Sequence, residues 1–206
     1  MTKEIFIFGE DGFTNITLAN SLTMLGFKVV GEVDNENVAL NLITHHLPEV
    51  VILDLELNHL KSLELAKTLR KRFPEMGLVA ISKSDDIRLL GIEKNSLPKG
   101  VLMVQISSHA DLDNLKTAIL KAPKFTDQVS EFQICNFLSD TQVETFRLLA
   151  EGKANSEIAK MRYVSEKSVE QMLARIALTL GINFDRKQNT RVRLTNSFFE
   201  LINGSK

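Results

Sequence analysis

The sequence predicts an α/β domain with a five-stranded, parallel, doubly wound sheet, followed by a small all-α domain of four helices. Four continuous apolar runs of about four residues recur in the first part, as in strands that are buried on both faces. Segments with apolar residues at three- and four-residue spacing lie between these runs, which indicates that helices alternate with the strands. The last 70 residues contain helical spacing without any strand-like run.

The predicted strands are Ile5–Phe8, Val50–Leu53, Leu78–Ile81 and Val101–Val104, with a weaker candidate at Val29-Val30. The helical patterns fall within residues 16–25, 38–43, 63–73 and 112–120. We interpret this order as a strand–helix alternation repeated five times. Such a repeat builds a parallel sheet with helices on both of its faces.

The helical domain is predicted from its caps. The predicted N-caps are Ser139 with Gln142, Asn155, Ser165, and Asp185 with Gln188. Ser139 with Gln142 forms a capping box, and glycines at 152 and 181 follow the first and third helices as helix stops. The last helix is expected to end near Ile202. A short helix, a tight connection and a longer helix form a helix-turn-helix arrangement.

Composition and charge set the domain boundaries and exclude several classes of protein. The predicted domains are residues 1–122 and 137–206, joined by a polar, aperiodic linker at 123–136. The chain has 206 residues, a formal net charge of −1 and one cysteine. It is therefore not a nucleic-acid binder by overall charge, and it has no internal disulfide. No stretch approaches the roughly 18 apolar residues of a membrane span, so we expect a soluble, cytoplasmic protein without membrane contact.

Polar side chains follow three of the predicted strands. Glu10 and Asp11 follow the first strand, Asp54 the third and Ser82 the fourth. Ligands of an open parallel sheet bind beyond the carboxyl ends of its strands. Clustered carboxylates repel each other unless a hard cation such as Mg²⁺ joins them. Beside Mg²⁺, Asp54 can act as a nucleophile toward phosphorus while Ser82 binds a phosphoryl oxygen.

The segment PEVVILDLELNHLKSLELAKTLRKRF, followed by LVAIS and an Asp pair, resembles the receiver domain of bacterial response regulators. The resemblance covers about residues 3–121 and implies a flavodoxin-like fold. It further implies Asp54 as the phosphoacceptor, Ser82 as the switch hydroxyl and the backbone carbonyl of Glu56 as a metal ligand.

The acidic pair of that family aligns in two ways, as Gly9 with Glu10 or as Glu10 with Asp11. We favour the first, because Ile5–Phe8 then fills the family's first strand, and one of the two acids is then missing. The predicted Mg²⁺ ligands are Glu10, Asp11, Asp54 and Glu56.

Three further departures concern the switch. The family's lysine at the end of strand five is replaced by Val104 or Gln105, and no aromatic residue lies between Val101 and Ile106. Asn58 and Ser62 stand where the family has proline and glycine. These departures favour a receiver with weak or no dependence on phosphorylation.

The segment LSDTQVETFRLLAEGKANSEIAKMRYVSEKSVEQMLARIALTLGI resembles the DNA-binding domain of LuxR/FixJ-type regulators over about residues 137–183. The recognition helix of a helix-turn-helix lies in the major groove. Lys167 suits guanine or phosphate, Gln171 suits adenine, and Glu170 accepts from cytosine but repels phosphates. The predicted DNA-binding residues are Lys167, Ser168, Glu170, Gln171, Arg175 and Arg191.

Charge within this domain suggests how it binds. Residues 134–184 carry six basic and six acidic side chains, so the domain's net positive charge comes from residues 185–206, which include Arg191. We expect either a phosphate contact or a solvated helix face there. Phosphate neutralisation supplies much of the affinity for duplex DNA, so a neutral recognition unit is expected to bind as a homodimer.

The sequence therefore predicts a dimeric, DNA-binding transcriptional regulator that is not an enzyme. One alternative is a conventional response regulator, switched when a histidine kinase phosphorylates Asp54. A second alternative is a protein-interaction module that no longer reads DNA, which Glu170 and the neutral recognition unit favour.

Overall fold

The computed structural model describes residues 2–57, 59–93, 95–108, 111–124, 137–182 and 189–204. The chain forms two compact units, the first from residues 1–83 and 92–132 and the second from residues 84–91 and 133–206. Most of the predicted linker lies outside the described residues, and the domain boundaries stay a prediction. None of the helices in the described ranges has the length and apolar character needed to span a bilayer.

The first unit contains a five-stranded parallel sheet, as predicted. Its strands are β1 (Glu4–Phe8), β2 (Lys28–Val33), β3 (Val50–Asp54), β4 (Gly77–Ser82) and β5 (Val101–Gln105), in the order β2-β1-β3-β4-β5. Phe8 pairs with Leu53, and Ser82 pairs with Gln105. Because all strands are parallel, the residues that follow β1, β3 and β4 lie along one edge of the sheet.

The helices of this unit are α1 (Gly12–Met24), α2 (Glu36–His46), α3 (His59–Arg72) and α4 (Leu112–Lys121). The predicted five-fold alternation is wrong at one place. Among the described residues between β4 and β5, Ile87–Leu90 form a 3₁₀ turn in place of an α-helix. Gly91 follows with a φ of 86°, a left-handed conformation that ends the turn. Residues 84–91 belong to the second compact unit.

The core explains why the strands could be recognised. Alternate residues of a strand point to opposite faces, and α1 and α4 cover the face that carries Ile5, Ile7 and Ile52. The helices α2 and α3 contact each other, and each packs on a strand. Both faces are thus covered, so the central strands are apolar at every position, and Phe8 and Leu53 are fully buried.

Besides the 3₁₀ turn at Ile87–Leu90, the described residues of the second unit form α5 (Asp140–Ala150), α6 (Asn155–Met161), α7 (Glu166–Thr179) and α8 (Thr190–Ile202). The capping box is confirmed, since the Ser139 N–H donates to Gln142 Oε1 at 2.8 Å and the Gln142 N–H donates to Ser139 Oγ at 3.3 Å. The helices share one core, in which the ring of Phe146 packs edge-on against Phe198 at 5.2 Å.

One predicted cap of this unit is wrong and another lies outside the described residues. Asn155 is the first residue of α6 rather than its N-cap, which is Ala154. The Ala154 N–H instead donates to Glu157 Oε2 at 2.8 Å. Asp185 and Gln188 are not among the described residues, and α8 is capped by Asn189, whose Oδ1 accepts from the Arg191 N–H at 3.0 Å.

Candidate functional site

Two of the predicted site residues end neighbouring strands. Asp54 is the last residue of β3 and Ser82 the last residue of β4. Ser82 is buried and Asp54 is half-buried. Glu56 joins the two strand ends. Its side-chain Oε1 accepts from Ser82 Oγ at 2.9 Å, and its backbone N–H donates to Asp54 Oδ1 at 2.9 Å. We call the group formed by Asp54, Glu56, Ser82 and Lys83 the acidic pocket.

The environment of Asp54 favours its neutral form. Burial raises the pKa of Asp54 to about 6, and the Glu56 carboxylate adds to this rise. The hydrogen bond from the Glu56 N–H and the charge of Lys83 oppose it. The ionised form of Asp54 is therefore disfavoured in this site. No cation is in direct contact with Asp54 among the described ion pairs.

Gly9 lies directly against Asp54. A Cβ at residue 9 would come within 2.8 Å of Asp54 Cβ and 2.7 Å of Asn15 Oδ1. Real Cβ atoms do not approach other atoms this closely, so an acid at position 9 requires a shift of the backbone or of Asp54. Asn15 closes the space further by donating from Nδ2 to the Gly9 carbonyl at 2.7 Å.

The other two acids near β1 are bound elsewhere. Glu10 forms a 2.5 Å ion pair with Lys61 of α3, and this contact raises the pKa of Lys61. Asp11 is the N-cap of α1: it accepts from the Phe13 N–H at 3.1 Å and from the hydroxyl of Thr14. The Thr14 hydrogen bond is the main reason why the pKa of Asp11 is lowered.

These contacts involve the residues of the predicted Mg²⁺ site, Glu10, Asp11, Asp54 and Glu56. Within the described ranges, no three His, Cys, Asp or Glu side chains are arranged to hold a metal ion. The carboxylates of Glu10, Asp11 and Glu56 already accept hydrogen bonds, and residue 9 offers no side chain. The predicted side-chain ligands therefore do not form a metal-type cluster among the described residues. The Mg²⁺ site stays a prediction.

The amide side chain of Gln105 lies at the end of β5, where the receiver family has a lysine. Gln105 is paired with Ser82, and its Nε2 donates to the Lys83 carbonyl at 3.0 Å. Sequence reasoning missed this contact and the role of the Glu56 side chain. The available signals were an acid two residues after Asp54 and a long amide at the end of β5.

The second candidate site is the exposed face of α7. One stripe of the helix is buried in the core through Val169, Leu173 and Ile176. The opposite face is exposed and polar, and it carries the predicted residues Lys167, Ser168, Glu170, Gln171 and Arg175. Ser165 caps the helix by accepting from the Ser168 N–H at 3.1 Å. The geometry thus leaves the first two turns of α7 free to contact a ligand.

Arg191, the remaining predicted DNA-binding residue, lies on α8 and is half-buried. Its Nη1 donates to Asn155 Oδ1 at 2.8 Å, and its Nη2 donates to the carbonyl of Lys153. Arg191 therefore joins α8 to the start of α6. The Asn155 side chain is thus bound to Arg191, and the N-cap position of α6 is Ala154, whose backbone is extended.

Two protein-family models match the chain. The model of the response regulator receiver domain matches residues 5–94. The model of the luxR family of bacterial regulatory proteins matches residues 136–187. The first match contains the acidic pocket, and the second contains the exposed face of α7.

Individual proteins are similar over most of the chain. Transcriptional regulatory protein YdfI of Bacillus subtilis is 25% identical over 170 residues, which cover 76% of this chain and 79% of that protein. Transcriptional regulatory protein DegU of Brevibacillus brevis is 20% identical over 202 residues, which cover 85% of each. A solved structure of two RcsB dimers bound to two parallel DNAs matches with a TM-score of 0.55 at 18% identity, over 98% of this chain and 100% of that one. This last match shows a likeness of fold.

Proposed function

The chain is a DNA-binding transcriptional regulator of the luxR family with a response regulator receiver domain, and we propose that it reads duplex DNA as a dimer without depending on phosphorylation of Asp54. The observation that carries the proposal is the exposed polar face of α7, since the first residues of a recognition helix reach the base edges. Lys167 and Gln171 are both exposed there. Such a regulator works where the genome is, in the cytoplasm, and needs no catalytic turnover.

Independence from phosphorylation is supported by the acidic pocket. Asp54 forms no ion pair with a lysine among the described ion pairs, and Lys83 acts on it only through its charge. Gly9 offers no acid beside it. The hydroxyl of Ser82 is already bound to Glu56. Without a cation in direct contact, a phosphoryl group on Asp54 would have its charge offset only in part, through Lys83.

Dimerisation is supported by charge and by α8. A neutral recognition unit gains little affinity from phosphates, and two linked units recover affinity through their effective concentration. Val192 and Phe199 lie seven residues apart on α8, and both are about half exposed. A matching pair on a second copy would remove these side chains from water. We expect a dimer at micromolar concentration without any phosphodonor, and light scattering that shows a monomer both alone and on DNA contradicts this.

The test of DNA reading begins with selection of duplexes from a random library by the full chain. Fluorescence anisotropy then compares the selected duplex with a scrambled one. We expect Lys167→Ala and Gln171→Ala to weaken binding, and Thr179→Ala, at the other end of α7, to leave it unchanged. If no duplex is enriched and all variants behave alike, the proposal is wrong and the interaction-module alternative stands.

A conventional phosphorylation switch is the second candidate, because Asp54 and Ser82 do end adjacent strands. The two are separated by adding beryllofluoride with Mg²⁺ and measuring oligomeric state and DNA affinity. We expect little change in either quantity. Tight, Mg²⁺-dependent dimerisation would restore the conventional mechanism and its histidine kinase partner.

A further inference from the structure

Two hydrogen-bond donors at the end of β4 converge on a single oxygen atom. Glu56 Oε1 accepts from Ser82 Oγ at 2.9 Å and from the Lys83 N–H at 2.6 Å. A hydroxyl and a backbone N–H that point at one place form a small anion-binding site. The anion bound in this site is the Glu56 carboxylate of the chain itself.

The chain also fixes this carboxylate from its other side. The Glu56 N–H donates to Asp54 Oδ1 at 2.9 Å, so residue 56 binds Asp54 through its backbone and the end of β4 through its side chain. The Lys83 peptide is held in turn by Gln105, whose Nε2 donates to its carbonyl at 3.0 Å. The backbone N–H and C=O of Lys83 are thus both bound, the first by Glu56 after β3 and the second by Gln105 at the end of β5.

We propose that the Glu56 carboxylate is a built-in anion that occupies the anion-binding site formed by Ser82 Oγ and the Lys83 N–H, and that it holds these two donors in place without a phosphoryl group. Hydrogen bonds to an ionised acceptor are about twice as strong as neutral ones. Because Glu56 is tethered two residues from Asp54, its effective concentration at the donors far exceeds that of a free anion. Glu56 is therefore a positioning residue that acts through Ser82 and Lys83.

The proposal deepens the part of the proposed function that concerns Asp54, but it does not rest on DNA binding. Lys83 is the residue at which the chain leaves the first compact unit, before residues 84–91. Holding its peptide fixes the chain at that point in one arrangement. An added phosphodonor then has no vacant donor pair to recruit.

The first test follows the Lys83 backbone N–H by ¹H–¹⁵N NMR in the full chain. We expect Glu56→Ala to move this resonance upfield and to speed its exchange with solvent, because the short charged hydrogen bond is lost. Glu56→Gln keeps an acceptor of the same length and should shift the resonance by an intermediate amount. Glu64→Ala, which removes an exposed acid of α3, is the control and should leave it in place. A Lys83 resonance that Glu56→Ala does not move overturns the proposal.

The second test asks whether Glu56 competes with an external anion. Orthophosphate at millimolar concentration is added to Asp54→Asn and to the double variant Asp54→Asn/Glu56→Ala, so that the charge of Asp54 does not repel the probe. We expect phosphate to move the Lys83 resonance of the double variant back toward its original position and to leave that of Asp54→Asn unchanged. An equal response in both proteins, or none in the double variant, contradicts the proposal. Neither test involves DNA, so failure here is distinguishable from failure to read a duplex.

Discussion

Arg191 Nη1 lies 2.8 Å from Asn155 Oδ1. The contact joins α8 to the first residue of α6, the helix that precedes α7. Arg191 also donates to the Lys153 carbonyl, so its guanidinium holds both sides of the connection into α6. A residue predicted as a phosphate contact therefore has a structural partner as well.

We expect Arg191→Ala to lower the stability of the helical unit by about 1–2 kcal/mol, because two hydrogen bonds of the guanidinium are lost. If Arg191 also contacts phosphate, the variant should weaken all DNA sequences alike and lower the salt slope by about one. Urea unfolding and anisotropy titrations at two salt concentrations measure the two effects separately. Unchanged unfolding would show that the Asn155 contact does not form. An unchanged salt slope would remove Arg191 from the DNA interface.

Gln171 tests whether the exposed face of α7 reads bases. A bidentate side chain on a base edge discriminates by roughly 1–3 kcal/mol. We therefore expect Gln171→Ala to lose about this much at one operator position and to relax specificity there, with other positions unaffected. The measurement is a titration series against single-base variants of the selected duplex. A uniform loss over all duplexes would indicate a backbone contact instead.

Glu170 is an exposed acid in the second turn of α7. If α7 lies in the major groove, Glu170→Lys removes a negative charge near the phosphates and adds a positive one. It should raise the affinity for non-specific duplex and steepen the salt dependence. Glu151→Lys, which makes the same charge change at the end of α5, is the control for net charge. Equal effects from both variants would mean that α7 has no special position at the DNA.

Local chemistry made much of this structure predictable. The strands were recognisable because α1 to α4 cover both faces of the sheet. The central strands, such as the one that contains Ile52, are therefore apolar at every position. The cap at Ser139 followed from the spacing of a serine and a glutamine. Such features depend on residues that are close together in the sequence.

The parts that sequence reasoning missed depend on distant partners. Asn155 has the chemistry of a cap, but its side chain is bound to Arg191, 36 residues further along. Glu56 was predicted to act through its carbonyl, whereas its carboxylate meets donors on the next strand end, at Ser82 and Lys83. Nothing in the spacing of these residues indicates the contacts, because the fold brings them together.

The raised pKa of Asp54 has a consequence for stability. The folded-state value is about 6 against 3.8 for an ordinary aspartate, so between these values the folded protein binds more protons than the unfolded chain. Asp54 therefore makes the first unit less stable as pH rises through this window. We expect Asp54→Asn to stabilise it by about 1–3 kcal/mol at neutral pH, since one pKa unit is worth about 1.4 kcal/mol, and to give no gain below pH 3.8.

Thermal unfolding across that pH range measures the effect. Asp11→Asn is the matched control, because the pKa of Asp11 is lowered rather than raised. Its charged form is favoured by folding, so this variant should give no gain at neutral pH. A gain of the same size in both variants would attribute the effect to net charge and would contradict the role of burial at Asp54.

Arg88 tests the buried ion pair of the second compact unit. The Arg88 side chain is 7% exposed and that of Asp86 is 6% exposed. The Arg88 guanidinium donates to both carboxylate oxygens of Asp86, and to the Leu138 carbonyl at 2.9 Å. Its Nη1 also lies 2.5 Å from Asp140, whose side chain is 77% exposed. One cation thus has a buried partner and an exposed partner.

Removing the two ends of this network should have unequal costs. Arg88→Ala leaves the Asp86 carboxylate buried without its cation, and we expect a loss of about 3–5 kcal/mol in the stability of this unit. Asp140→Ala removes only the exposed partner, and surface pairs contribute about 0–1 kcal/mol. Arg88→Met keeps much of the apolar volume, so it separates the loss of charge from the loss of packing, and it should be nearly as destabilising as Arg88→Ala. Denaturant unfolding of the full chain measures all three. If Arg88→Met unfolds like the parent protein, the ion pair with Asp86 contributes nothing and packing alone holds residues 84–91 in place.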